Sequence, residues 1–292
     1  MTHLRLRMLE ELQRRNYAEN TIRSYLGAVE DFARYFNTPP DQLGAEHLRQ
    51  YHLYLIQERK LATQTVVSYI SALRFFYGKT LGRPLPELNL PNPKRPKRLP
   101  TVLGPEEVAR LLEATQNLFQ YTLLRTLYAT ALRRSELCQL KVTDIDSPRM
   151  MIHVREAKGQ RDRDLPIDTS LLKTLRAYWR WLRPPEYLFP GGRYHTLTDR
   201  PITSKTLWRA VETAVLGAGI LKHVSPHTLR HSRATHWYEA GVDLPTIQRL
   251  LGHTHLETTT LYVHLGNPHL EDCPDAIPLP DFDRLTGKET RS

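Results

Sequence analysis

Residues 89–100 read NLPNPKRPKRLP, a stretch in which no helix or central strand can form. Pro91, Pro93, Pro96 and Pro100 fix φ and remove backbone donors, which leaves extended, polyproline-like chain. Such a strap divides the chain. Its 292 residues also suit two domains at about 150 residues each. The expected layout is a body over 1–88, a linker over 89–100, a second body over 101–268 and a tail over 269–292. Lys94, Arg95, Lys97 and Arg98 sit between the prolines, where they would track a phosphate backbone. A plain basic spacer explains the same residues.

Charge follows this division. Lys and Arg number 41 against 31 Asp and Glu, a formal net of +10. Residues 1–100 carry 16 basic and 9 acidic side chains, residues 101–268 carry 22 and 16, and the last 24 carry 3 and 6. Two basic bodies and an acidic tail point to a polyanion gripped by both bodies, although a solvated basic surface has the same composition. Two cysteines, Cys138 and Cys273, make no disulfide framework. The arginines at 5, 7, 14 and 15 interrupt any secretory leader, and no stretch approaches the roughly 20 apolar residues of a spanning helix. A soluble cytoplasmic protein is expected.

Before the strap the apolar spacing is helical. Leu4, Met8 and Leu12 form one stripe. A cap at Asn20 or Thr21 opens a second, with Ile22, Tyr25, Val29, Phe32 and Phe36. Leu48, Tyr51 and Leu55 mark a third helix, and Val66, Ile70, Leu73 and Tyr77 a fourth that Gly78 closes. A small bundle follows, with Tyr25, Phe32, Phe75 and Phe76 in its core. After the strap, Gly104-Pro105-Glu106-Glu107 starts a helix, and residues 118–132 form a buried one. Ile152 and Val154 alternate with polar neighbours, as do Leu165 and Ile167, giving a hairpin that turns near Gly159. Further helices are expected over 171–181, 204–216, 227–238, 244–251 and 256–263. The fold class is mainly α with a small antiparallel β-sheet.

Chemistry concentrates in the second body. Arg133 and Glu136 stand three apart at a helix start. They are either a surface ion pair or an arginine fork oriented by a carboxylate for a phosphate. His227 and Arg230 share a face after Pro226, joining a permanent cation to a group that titrates near neutrality. His227 and His231 are spaced as metal ligands, but no HExxH motif or nearby carboxylate completes a set, and Arg230 repels a cation. No metal is expected. Leu250-Leu251-Gly252-His253 ends a helix with His253 at its exposed end, and Tyr262 follows nine residues later. A phenol is a poor nucleophile near neutrality without help from cations and a base.

Taken in order, Arg-x-x-Glu, a lysine in the hairpin turn (Lys158), HTLRH, LLGH and TTTLYVH resemble the tyrosine recombinase (phage integrase) family across nearly the whole chain. The resemblance implies a helical core-binding domain and a catalytic domain that close as a clamp on duplex DNA. It implies strand exchange through a 3′-phosphotyrosyl intermediate at Tyr262, with no cofactor, metal or ATP. Arg133 and Arg230 would clamp the non-bridging oxygens, and Lys158 would protonate the leaving 5′-oxygen. His227 would move protons around the tyrosine and His253 would hydrogen-bond the phosphate, with Glu136 and His231 in support. The implied partners are double-stranded recombination sites and a homotetramer on DNA, monomeric or weakly associated when free. The expected location is the cytoplasm, on the nucleoid. Two departures stand out: Ala131 where the family usually has glycine, and Arg233 where it often has an aromatic residue. Two other readings fit parts of this pattern, a type IB topoisomerase and a non-catalytic DNA-binding accessory protein on the same fold.

Overall fold

The computed structural model describes residues 2–83, 100–155, 162–193, 196–253, 259–264 and 285–286. The chain divides into two compact units, Met1–Arg98 and Leu99–Ser292. The linker cations Lys94, Arg95, Lys97 and Arg98, the turn lysine Lys158 and Cys273 lie outside the described residues.

Unit 1 contains α1 (His3–Arg14), α2 (Glu19–Phe36), α3 (Ala45–Gln57) and α4 (Thr63–Phe75). The expected stripes form its core: Met8, Leu12, Val29, Phe32, Leu48, Tyr51, Leu55, Val66, Ile70 and Leu73 are all buried. Phe32 and Tyr51 meet edge to face with centroids 5.0 Å apart, and Phe75 packs against Tyr17 and Tyr25 at 5.6 and 6.0 Å. Two local expectations are corrected. Helix α2 begins at Glu19 after Ala18, which makes no side-chain cap, so neither Asn20 nor Thr21 opens it. An acidic side chain in the first turn suits the positive end of the helix dipole. Gly78 does not stop the fourth helix, because a π-turn over Phe76–Thr80 continues the winding. Phe76, Tyr77 and Thr80 are buried there, and the Tyr77 hydroxyl donates to the Pro40 carbonyl at 2.6 Å, which rewards the extra turn.

Unit 2 is built around α6 (Leu118–Thr130), which is buried along most of its length. It packs against α5 (Pro105–Glu113), α8 (Thr169–Leu182), α9 (Ser204–Gly217) and α10 (Pro226–Glu239). Short α7 (Arg134–Gln139) follows α6, and α11 (Leu244–Leu251) follows α10. At the start of α5, Glu107 accepts the Gly104 N–H at 2.8 Å. The expected hairpin is β2 (Met151–Val154) with β3 (Arg163–Pro166), in register Ile152 with Leu165 and Val154 with Arg163. Strand β1 (Ile145–Asp146) adds a third antiparallel member.

The expectation of a single sheet is corrected by a second one, β4 (Pro190–Arg193) paired with β5 (Thr196–Pro201). Its PGGR and TLTDRP sequences lack apolar alternation. Gly191 lets the strands close up, since a β-carbon there would stand 3.2 Å from the Arg200 and Pro201 carbonyl oxygens. The helix expected over 256–263 is also corrected: the described part, Thr260–His264, is a 3-10 turn. In the tail, Leu285 is buried in this unit's own core. Cys138 is buried too, and burial pushes its thiol up to about 11.

Candidate active site

Three helix ends meet at the carboxyl end of α11. Helix α6 stops where Ala131 turns left-handed at φ 49°. Two residues on, Arg133 is the N-cap of α7. Helix α11 ends at Gly252, at φ 63°, which turns the chain and leaves the last carbonyls of the helix without intrahelical partners. Those carbonyls take arginines. Arg163 Nε donates to Leu250 O at 2.9 Å, Arg230 Nη2 to Leu251 O at 2.6 Å, and Arg133 Nη2 to Gly252 O. The negative end of the helix dipole favours cations in this position.

Glu136 ties two of them together. It receives Arg133 Nη1 at 2.6 Å and the Arg133 N–H at 2.8 Å, and Arg163 Nη1 and Nη2 at 3.1 and 2.8 Å. Burial alone would raise this carboxyl. The hydrogen bonds and charge of Arg163, joined by those of Arg133, instead hold it down to about 2.

Arg230 comes from α10, whose start is fixed by Ser225 Oγ accepting the Thr228 N–H and by Pro226 in the first turn. Leu229 beside it enters the core. The Arg230 guanidinium is almost fully enclosed. Its Nη1 donates to the Ala131 carbonyl at 2.5 Å, and burial and the neighbouring Arg133 lower its pKa to about 10, so it stays charged at neutral pH.

His253 stands 3.2 Å from Arg230 Nη2 through Nε2 and 3.0 Å from Thr259 Oγ1 through Nδ1. With arginine as the donor at Nε2, the ring proton sits on Nδ1 and goes to Thr259. Burial and then Arg230 lower its pKa to about 4, so the ring is neutral. It is half-buried rather than at an exposed helix end.

Tyr262, on the 3-10 turn, is buried among Ala131, Ala234, Ile247 and Leu251. Two of these neighbours, Ala131 and Leu251, carry the carbonyls that hold Arg230. The phenol lies 3.2 Å from His231 Nδ1. Burial and then the nearby charges of His227 and Arg230 lower His231 to about 4, so its ring is neutral, and in the tautomer with the proton on Nε2 its Nδ1 accepts from the phenol. Burial raises the Tyr262 pKa against the pull of Arg230. His227 is exposed at the opening of α10, and partial desolvation followed by Arg230, Arg134 and Arg133 lowers its pKa.

The structure thus gathers Arg133, Glu136, Arg230, His231, His253 and Tyr262, with His227 at the edge. Sequence reasoning passed over Arg163 and Thr259. The first carried a signal, because Arg163 alternates with Leu165 on β3 and so shares its inward face. Arg233, the departure from an aromatic residue, lays its guanidinium over the rings of Tyr128 and Trp237 at 5.4 and 5.2 Å, a cation–π stack where an aromatic side chain would pack.

Comparison with known proteins identifies the family. Residues 101–269 match the phage integrase family, and residues 4–87 match the phage integrase N-terminal SAM-like domain. The chain belongs to the phage integrase family. It is 47% identical over 267 residues to the Sinorhizobium fredii protein y4qK, named as an integrase/recombinase, covering 91% of this chain and 85% of the relative. It is 33% identical to the tyrosine recombinase XerA of Pyrococcus furiosus over 98% of both chains. Among solved structures, phage lambda integrase bound to a core site shares the fold at a TM-score of 0.71 and 18% identity, over 87% of this chain and 95% of that one. Membership in this family of tyrosine recombinases makes the chain a DNA-breaking and rejoining enzyme and favours that reading over the topoisomerase and accessory-protein alternatives. Among the described residues no helix is long and apolar enough to cross a membrane.

Proposed function

We propose that this chain exchanges strands between specific duplex DNA sites, with Tyr262 as the nucleophile. One observation carries the assignment of residues. Three guanidinium groups and the Glu136 carboxylate converge at the end of α11, and one of the three, Arg230, acts on the buried Tyr262 phenol. A cluster of guanidinium groups held in low dielectric is suited to an anion whose charge grows in the transition state. The phosphodiester is that anion.

In this reading the Tyr262 oxygen attacks phosphorus as its proton passes to His231. The P–O5′ bond breaks, giving a 3′-phosphotyrosyl link and a free 5′-hydroxyl, and attack by another strand's 5′-hydroxyl reverses the step. The ester keeps the bond energy, so no ATP is consumed. Arg133 and Arg230 hold the non-bridging oxygens, and neutral His253 adds a hydrogen bond. His227 shuttles protons at the mouth of the site, and Lys158 protonates the leaving oxygen. Lys94, Arg95, Lys97 and Arg98 of the 89–100 linker follow the phosphate backbone between the domains over 1–88 and 101–268. Phage lambda integrase has been seen as a tetramer bound to a Holliday junction, and a tetramer on paired sites is the assembly proposed here. With duplex DNA as substrate, the protein works on the nucleoid.

The test incubates full-length protein with linear duplexes carrying a randomised core and recovers DNA that survives denaturation bound to protein. Wild type is expected to yield adducts whose nucleotide maps to Tyr262 by mass spectrometry. Tyr262→Phe should yield none while still shifting duplexes in a gel. Adducts on another residue, or persisting in Tyr262→Phe, would overturn the assignment.

A further inference from the structure

The hydrogen bonds around Arg163 close a ring. Its Nη1 and Nη2 hold Glu136, Glu136 holds Arg133, Arg133 reaches Gly252 O, and Gly252 lies two residues past Leu250, whose carbonyl takes Arg163 Nε. The ring joins β3, α7 and the end of α11. Arg163 and Glu136 side chains are each only 8% exposed, so water does not compete for these bonds. Within the same turn of chain lie the Leu251 carbonyl that seats Arg230 and the His253 ring that contacts it. A shift of Arg133 therefore drags the end of α11, and with it the other two phosphate-facing groups.

We propose that Arg163 is a positioning residue for strand cleavage: by gripping Glu136 and Leu250 together it fixes Arg133, Arg230 and His253 relative to one another before DNA arrives. The proposal rests on the recombinase reading of the site and assigns Arg163 no contact with the phosphate. Only a guanidinium fits the task, because its planar fork spans both carboxylate oxygens while Nε serves a third acceptor. A lysine keeps the charge beside Glu136 but cannot reach all three. Misplacing a catalytic group by about 1 Å costs about 10²-fold in rate, so the cost should fall on chemistry rather than on DNA binding.

The experiment uses the full chain and the duplex recovered in the randomised-core selection, nicked beside the cleaved phosphate so that the released strand diffuses away. Single-turnover covalent capture at saturating protein is measured alongside duplex affinity. Arg163→Lys is expected to slow capture by about 10²-fold with duplex affinity unchanged. The double variant Glu136→Gln with Arg163→Gln, which replaces the buried ion pair by two amides, should lose no more than the worse of its two single variants, since both residues belong to one closed ring. Capture by Arg163→Lys at the wild-type rate, or a parallel fall in capture and affinity, would overturn the positioning role. So would losses in the two single variants that multiply in the double. Wild type that captures no duplex would instead overturn the recombinase reading, so the two failures are distinguishable.

Discussion

An arginine–glutamate pair of the same three-residue spacing can be compared between the units, Glu46 with Arg49 in the first and Arg133 with Glu136 in the second. In α3, Glu46 accepts Arg49 Nε and Nη2 at 2.7 to 3.1 Å, with side chains 72% and 63% exposed. In the second unit Arg133 reaches Glu136 at a similar 2.6 Å, but Glu136 is 8% exposed and Arg163 covers its other side. Water and salt screen the first pair, so it adds little to the fold. The second has lost its hydration, and it persists because four donors converge on one carboxylate. The contrast extends to the units around them. Unit 1 is held by aromatic packing, and its pairs of Arg5 with Glu30 and Arg49 with Glu46 lie at the surface. Unit 2 encloses charges and imidazoles beside a phenol, an arrangement that costs stability and is found where chemistry requires it.

The strongest way to break this contrast is Arg230→Lys. The guanidinium bridges the Ala131 and Leu251 carbonyls and meets His253, and a single ammonium cannot span that set. Covalent capture should fall about 10²–10³-fold, the cost of removing a preorganised donor from a developing anion. An unpaired buried carbonyl should also lower stability by about 1–3 kcal/mol in urea melts. If capture by the lysine variant matches wild type, the buried cation serves the fold alone, and the distinction between the units loses its functional meaning.

The helical stripes of unit 1, the β2–β3 hairpin and α5 to α11 were legible because apolar periodicity and caps are local signals. The same locality explains what was not. An Arg-x-x-Glu spacing reads identically for Glu46 with Arg49 and for Arg133 with Glu136, since depth is decided by what packs over the pair. That three successive α11 carbonyls each meet an arginine from a different element depends on tertiary placement, and only the Gly252 stop hinted at it. Strands β4 and β5 pair through close backbone approach at Gly191 rather than through an apolar face, so alternation had nothing to report. The preference for glycine before Leu132 has a local cause, the left-handed φ of Ala131, which becomes visible only in the backbone.

Acid sharpens the comparison at intermediate size. Burial lowers His231, His236 and His253 each to about 4 in the folded chain. A histidine whose folded pKa lies below its ordinary 6.5 stays neutral in the fold while the unfolded chain takes up the proton. Stability is therefore fully present above pH 6.5 and drains as the pH falls toward 4. For His236, which is 2% exposed and 2.7 Å from the Tyr128 hydroxyl, the loss amounts to about 2 kcal/mol near pH 5. Urea melts of the full chain from pH 7 to 5 should show it, and His236→Gln should flatten the slope. A wild-type profile flat over that range would mean that these imidazoles are not held neutral.

Glu46→Gln should do least. The substitution is chemically the same as Glu136→Gln, and each removes one carboxylate from an arginine three residues away. At position 46 the amide and the released guanidinium are both rehydrated at once, because neither side chain was out of water. The midpoint of urea unfolding should stay within error of wild type, and its small response to added salt should be the only trace of the lost pair. At position 136 the same change leaves two guanidinium groups facing a neutral partner inside the protein. Equal shifts at the two positions would show that the depth of the second pair carries no energetic weight, and the account of the site as a rigid cationic frame would fall with it.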